Sequence, residues 1–486
     1  MLPRSAWGLI IALWASEIVA AFETAMVYAA QRALTDELGD PVRVGWLITS
    51  YLLIGAGSAA IAGRLGDLMG RRRLLLIMLV VAAVGSLMSA FAPGYGMLLA
   101  GRCVQGLTGA ILPLCLGIVR ENLPPRQVPP AIGLLVSGAA AGTAAGLVIG
   151  GVIVDQFSWH GVFIASAVSA AIAFVATVAL VPPSKPAGSV RSVGWLGGLL
   201  FVPALVGVLL AISNGPRWGW SDPRTPICLL GGLLLGALWV RNSLRSRNPL
   251  LDVRLFADRR VLVANLIGVI LSLSALQITL VFSLLLQAPT WTAIGLGVSA
   301  TVAGLVKLPS NLGALFAGPF AGWVTARHGA RNAILLGGLL TAGGWASATV
   351  LNGGVVMVGG VLILISFGTA MLVTVLPTIL ASVVPPDRTS EAAGMSSVVR
   401  GAAMGVGAQL VSLILALDTV SQGAGGASYP TPAAFRLAIG FVALLTLCAT
   451  LLAFALPART AAAVDLEDEA AEAAEGSAPF PLTAGV

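Results

Sequence analysis

The stretch "GRLGDLMGRRR" at 63–73 sets five charges among eleven residues, and a worn copy, "GWVTARHGAR", stands at 322–331. Overlaying them pairs Gly63 with Gly322, Leu65 with Val324, Gly70 with Gly329 and Arg72 with Arg331, an offset of 259. A second pair, "LPPRQVPPAIG" at 123–133 and "VPPDRTSEAAG" at 384–394, repeats the relation at an offset of 261. Two such copies predict parallel halves of six helices each, packed around a midplane cavity that opens alternately to either side.

The rest of the chain agrees. With 57% hydrophobic residues, 10% charged residues and a mean hydropathy of +0.96 over 486 residues, it is too apolar for a water-soluble globule. A membrane-crossing helix takes roughly 20 mostly apolar residues. Fourteen such runs are read near 6–29, 44–62, 74–92, 96–119, 130–154, 160–181, 193–212, 225–241, 260–287, 293–323, 331–351, 355–382, 393–417 and 434–456. The first run is too long for a secretory signal and carries Glu17 and Glu23, so it is kept as a span.

The expected organisation is an N-terminal six-helix bundle (1–181), an inserted two-helix hairpin (182–241), a basic cytoplasmic connection (242–259), a C-terminal six-helix bundle (260–457) and an acidic disordered tail (458–486). A cytoplasmic N-terminus puts Arg64, Arg71, Arg72, Arg73, Arg120 and Arg126 inside and leaves Arg32, Arg43, Arg217, Arg224 and Arg436 outside. That asymmetry is the positive-inside pattern, with both termini cytoplasmic. The net charge of +7 is thus a topology signal, and no nucleic-acid partner is expected.

The four cysteines lie inside predicted spans without metal-ligand spacing, and there are only two histidines, so neither a metal nor another cofactor is expected. The only lysines, Lys185 and Lys307, precede proline and leucine, which excludes a phosphate-binding Gly-Lys-[Ser/Thr] loop. An ion gradient, most simply of protons, is then the energy source. No cluster of catalytic side chains marks an enzyme.

Ionisable groups inside spans cost about 2.5–3.5 kcal/mol each on insertion scales, so each needs a reason. Glu17, Glu23, Arg102, Lys307 and Arg400 form the set. At about 1.5 Å of rise per residue, Glu23 and Arg102 reach a similar depth and could pair, either as a structural lock or as a proton site. Glu17, mid-span without an obvious partner, is expected to carry its proton or to meet a cationic substrate. Lys307 could meet an anionic substrate group or serve as counter-ion to Glu17. Gly138, Gly142, Gly146 and Gly150 recur every fourth residue, a smooth face on which another backbone can close.

In these residues the chain resembles the major facilitator superfamily, and within it the fourteen-helix drug:proton antiporters. Gly63, Gly66, Asp67, Gly70, Arg71 and Arg72 match the superfamily's loop motif between helices 2 and 3, and Arg102 in "LLAGRCVQG" matches its helix-4 arginine motif. "WLITSYLL" at 46–53, "GWLGGLL" at 194–200 and "NPLLDVRLF" at 248–256 resemble the fourteen-helix branch. Leu147 stands where the antiporter motif of helix 5 has proline.

The resemblance implies a multi-pass transporter of the cell membrane, probed by small amphipathic organic substrates and protons and working as a monomer. It implies drug, antibiotic or metabolite efflux; a narrow-specificity porter or facilitator for a lipid-like or anionic compound is the alternative. It further implies that the 63–72 motif latches the halves on the cytoplasmic side, that Glu23 and Arg102 couple to protons, and that the glycine face and Arg400 pack between the halves. From their mid-span places, Glu17 is expected to join the proton-coupling set, and Glu17 and Lys307 to line the substrate cavity.

Overall fold

The computed structural model describes residues 4–124, 127–184, 195–246, 254, 259–349, 354–383, 389–421 and 427–456. The acidic tail and most of the basic connection lie outside the described residues, as do the side chains of Arg64 and Asp67.

In chain order the helices are α1 (Arg4–Ala29), the short α2 (Gln31–Leu38), α3 (Pro41–Met69), α4 (Arg71–Ala90), α5 (Tyr95–Gly106) and α6 (Ile111–Asn122). Then come α7 (Val128–Gln156), α8 (Trp159–Leu180), α9 (Trp195–Trp218), α10 (Arg224–Arg245), α11 (Arg259–Leu273) and α12 (Ile278–Gln287). The last are α13 (Ala300–His328), α14 (Ala330–Ala348), α15 (Val355–Val383), α16 (Thr389–Leu415) and α17 (Pro432–Leu452). Strands β1 (Thr419–Ser421) and β2 (Ser428–Pro430) make a small antiparallel hairpin between α16 and α17. Tight 3-10 turns join α5 to α6 and α11 to α12, so each of these pairs runs as one long rod.

Each of the fourteen predicted runs contains a helix among the described residues, although the run placed at 293–323 becomes helical only at Ala300. Among the described residues, twelve helical stretches are long and apolar enough to cross a membrane; α9, apolar over Leu200–Gly215, and α14 are not among the twelve. The distribution of polarity is that of a membrane protein. Arg102, Glu23 and Gln105 are 0–1% exposed, whereas Ile172, Val175 and Leu230 are more than 60% exposed on the flanks, the reverse of a water-soluble fold.

The repeat is visible in the backbone. Gly70, between α3 and α4, and Gly329, between α13 and α14, have φ of +87° and +84°, a region that glycine enters without steric cost. They are 259 residues apart, so the offset read from the sequence is the structural one. Both helices that precede these turns are capped at their start: Asp40 accepts from the Val42 N–H at 2.9 Å, and Ser299, 259 residues on, accepts from the Val302 N–H at 3.3 Å.

Helix α1 packs on α7 and α8, α4 on α5 and α8, and α3 on α5, which gathers α1 to α8 into a first bundle. A second forms where α13 and α14 pack on α15, α14 on α17, and α11 on α16 and α17. The α9 and α10 pair packs on itself, with α9 against α3 and α16. The bundles meet along two seams, α3 with α16 and α7 with α13.

Both seams close toward the end that carries α2 and the β-hairpin. There Thr49 donates to the Gly405 carbonyl at 3.2 Å, Gln287 donates to the Tyr28 carbonyl at 3.3 Å, and Tyr429 donates to Asp36 at 2.5 Å. Asp155, on the last turn of α7, accepts from the N–H groups of Ala300 and Thr301 and from the Thr301 hydroxyl.

Candidate proton and substrate site

Two glutamates on one apolar helix reach different surroundings. Glu23 lies in the first bundle, where α1 faces α4, α5 and the turn after α5. Its Oε1 accepts from Ser86 at 3.2 Å and from Gln105 Nε2 at 3.3 Å, and its Oε2 accepts from Thr108 at 3.0 Å. The Thr108 hydroxyl is also 2.7 Å from the Gln105 carbonyl and 3.2 Å from the Tyr51 hydroxyl. A threonine has one proton to give. It can serve the carboxylate, or turn to the carbonyl and accept from a protonated Glu23.

Arg102 comes close but forms no direct ion pair with Glu23. Its Nη1 donates to Gln105 Oε1 at 2.9 Å and its Nε to the Leu47 carbonyl at 3.0 Å, while the guanidinium lies 4.4 Å over the Tyr51 ring. Nη1 also reaches the backbone carbonyl of Glu23 at 3.5 Å. The expected pairing is thus replaced by a relay, guanidinium to carboxamide to carboxylate, with Gln105 using both ends of its side chain. The direct pair is missing because Gln105, one turn after Arg102, occupies the space between them.

Glu17 lies two turns deeper on α1. It is 5% exposed, and its Oε2 has no hydrogen-bond partner. Cys115 on α6 is its electrostatic neighbour, and Cys115 in turn reaches the Leu13 carbonyl at 3.9 Å. Lys307 is 3% exposed and donates to the Thr279 carbonyl and the Ser283 hydroxyl, both at 3.1 Å, on α12. Among the described residues no ion pair joins Lys307 to Glu17, so the suggested counter-ion contact is not formed in this conformation.

The glycine face differs from expectation. A Cβ on Gly138, Gly142, Gly146 or Gly150 would meet Trp14, Ala21, Ala25 or Met26 respectively, all on α1 of the same bundle. The expected packing between the halves is supplied by Gly151, one residue on, where a Cβ would lie 2.6 Å from the backbone of Ala300 and Thr301. One residue is about 100° of helix rotation, which turns the backbone from one neighbour to the other. Arg400 likewise stays in its own bundle, with its chain against Gly268 of α11 and its Nε donating to the Ser396 carbonyl. Gly401 and Gly405 do face α3 across the seam, at Ala56 and Leu53.

In the loop motif, Arg71 binds Glu121 at 3.0 Å and the Gly117 carbonyl at 2.9 Å, and Arg72 donates to the Val178 carbonyl at 2.8 Å. Ser184 closes the circuit by donating to Glu121. The partners named here lie on α6, on α8 and just past the end of α8, at the end opposite the hairpin. Gly66 leaves room for Leu114 and the Arg71 chain, whereas the Asp67 side chain, with Gly63, lies outside the described side chains. No group of three His, Cys, Asp or Glu that could hold a metal occurs among the described residues.

Ser86, Gln105, Thr108 and Tyr51 are the site residues that sequence reasoning missed. Gln105 alone had a signal, its place one turn after Arg102 on the same helix face.

The two-bundle fold and its seams define a membrane transporter, and comparison agrees. The family model described as Major Facilitator Superfamily matches residues 13–408. The chain belongs to that superfamily, a class of transporters rather than enzymes, and is a multi-pass protein of the cell membrane. It is similar to "Multidrug resistance protein B homolog" of Mycobacterium tuberculosis, 30% identical over 333 residues, covering 68% of this chain and 60% of that protein. The chain thus spans under two thirds of that relative's length. It is also similar to "Tetracenomycin C resistance and export protein" of Streptomyces glaucescens, 26% identical over 420 residues, covering 86% of this chain and 76% of that one. Among solved structures, a peptide transporter POT in complex with sulfate shares the fold, with a TM-score of 0.69, 16% identity and coverage of 92% and 94%.

Proposed function

We propose that this protein is a proton-coupled exporter of amphipathic organic molecules that works by alternating access, as a monomer with fourteen spans and both termini in the cytoplasm. The observation that carries the reading is the Glu23 carboxylate, 1% exposed and tied through Gln105 to Arg102. A buried carboxylate whose hydroxyl neighbours suit either protonation state is a fitting proton carrier, and a guanidinium that does not deprotonate supplies the fixed charge it works against. Glu17, unpartnered and deeper, is the second proton or cation site.

On this topology the hairpin end faces outward, so the conformation described is closed outside. Arg71 and Arg72 lie at the cytoplasmic end on this topology, where the loop motif would act as a latch between the halves. The chain then consists of two six-helix bundles joined through the inserted α9 and α10 pair, with α9 and α14 both spanning. Export of drug-like molecules draws support from the relatives' printed names, which speak of multidrug resistance and of tetracenomycin C resistance and export. Lys307 donates to the neutral oxygens of Thr279 and Ser283 and meets no carboxylate among the described residues, which keeps an anionic-substrate porter as the second reading.

The test is substrate-triggered proton movement in proteoliposomes bearing an imposed pH gradient. Cationic, neutral and anionic amphiphiles are compared on wild type, Glu23→Gln and Glu17→Gln. The expected result is proton flux that appears with a cationic or neutral amphiphile and is lost in Glu23→Gln. Substrate movement indifferent to the gradient and to both substitutions would reject proton coupling.

A further inference from the structure

The two helices α3 and α13 occupy matching places in the repeat, and each begins at a seam between the bundles. Their starts are finished differently. At α3 the cap is a carboxylate from the chain itself, Asp40, with Pro41 next. At α13 the matching position is Ser299, an uncharged cap. The carboxylate there comes from the other bundle: Asp155 Oδ1 accepts from the Ala300 N–H at 3.0 Å, and Oδ2 from the Thr301 N–H at 2.8 Å and its hydroxyl at 2.6 Å.

The first turn of a helix presents unpaired N–H groups and partial positive charge, so a carboxylate is its natural complement. Two glycines make the approach possible. A Cβ at Gly151 would lie 2.6 Å from the Ala300 and Thr301 backbone, and one at Gly304 would lie 2.7 Å from the Leu147 carbonyl oxygen. Every bond in this cap breaks if α7 and α13 part, whereas the Asp40 cap of α3 travels with its own helix.

We propose that Asp155 is a positioning residue of the transport cycle: it caps α13 across the seam and holds the bundles closed at the hairpin end. The contact is exposed, so water competes for it. Loss of a helix cap of this kind corresponds to roughly a two- to thirtyfold shift in the open-to-closed ratio.

Hydrogen exchange by mass spectrometry on the full chain in lipid nanodiscs tests this without any substrate. Asp155→Ala is expected to raise exchange at 300–304 and also at the other seam, at 45–53 and 405–412, within that range. Asp155→Asn keeps one acceptor without the charge and is expected to fall between Asp155→Ala and wild type. A change confined to the amides of Ala300 and Thr301 would reduce Asp155 to a local cap and overturn the proposal, as would no change at all. Should Asp155→Ala fail to fold, Thr301→Val removes only the hydroxyl donor. It is expected to loosen both seams more weakly, and an unchanged 45–53 and 405–412 would again overturn the proposal.

Discussion

Gln105 holds apart the two groups whose charges matter most. Its amide gives one proton to Ser86 at 2.7 Å and the other to Glu23, while its oxygen takes the Arg102 guanidinium. Replacement by leucine of similar size leaves the facing donor and acceptor without their partner inside the buried interior of the bundle. Gln105→Leu is expected to cost about 1–3 kcal/mol of stability, read as a lower midpoint in detergent unfolding. It is also expected to displace the pH profile of transport, which a packing defect alone would not do. Ser86 shows why this site was only partly legible in the sequence. A serine inside an apolar run carries no mark of the carboxylate it will meet 63 residues away. Charged residues inside spans announced themselves by their cost; the neutral groups that satisfy them did not.

Among the elements, the α1 and α7 pair shows what spacing can and cannot tell. Glycines every fourth residue on α7 foretold a close helix contact, and Gly146 indeed leaves so little room that a Cβ would lie 2.8 Å from that of Ala25. Which helix would fill the groove depended on the rotation of α7 in its bundle, and no local pattern records that. Span positions and the 259-residue repeat were legible because they rest on apolar run length and on left-handed glycines, both properties of the local chain. Gly146→Leu is expected to destabilise by about 1–3 kcal/mol through overpacking. Gly322→Leu, where a Cβ would meet nothing within 4 Å, is the control expected to leave the unfolding midpoint nearly unchanged.

For the whole molecule, closure at one end spreads over contacts of different chemistry, and the hairpin supplies one that responds to pH. Burial, then the hydrogen bond to Asp36 and the charge of that carboxylate, push the Tyr429 phenol above its ordinary value. The folded state therefore holds this proton more tightly than the unfolded chain. Its contribution is complete below about pH 10, the ordinary tyrosine value, and is lost as pH climbs from there toward the folded value. Tyr429→Phe is accordingly expected to be less stable than wild type at neutral pH, with the gap closing above about pH 10 in thermal unfolding. A gap that is constant through the alkaline range would mean that the phenol contributes by packing on Trp291 alone.

The glycine-lined join of α1 and α7 has a mechanical consequence. Two helices whose backbones approach this closely from Ile18 to Met26 cannot slide past each other without collision. They therefore act as a single beam, with Glu23 along its length and Asp155 at its tip. If Glu23 is the proton site proposed above, a small tilt at its carboxylate would become a larger displacement at the tip, where Asp155 grips the opposite bundle.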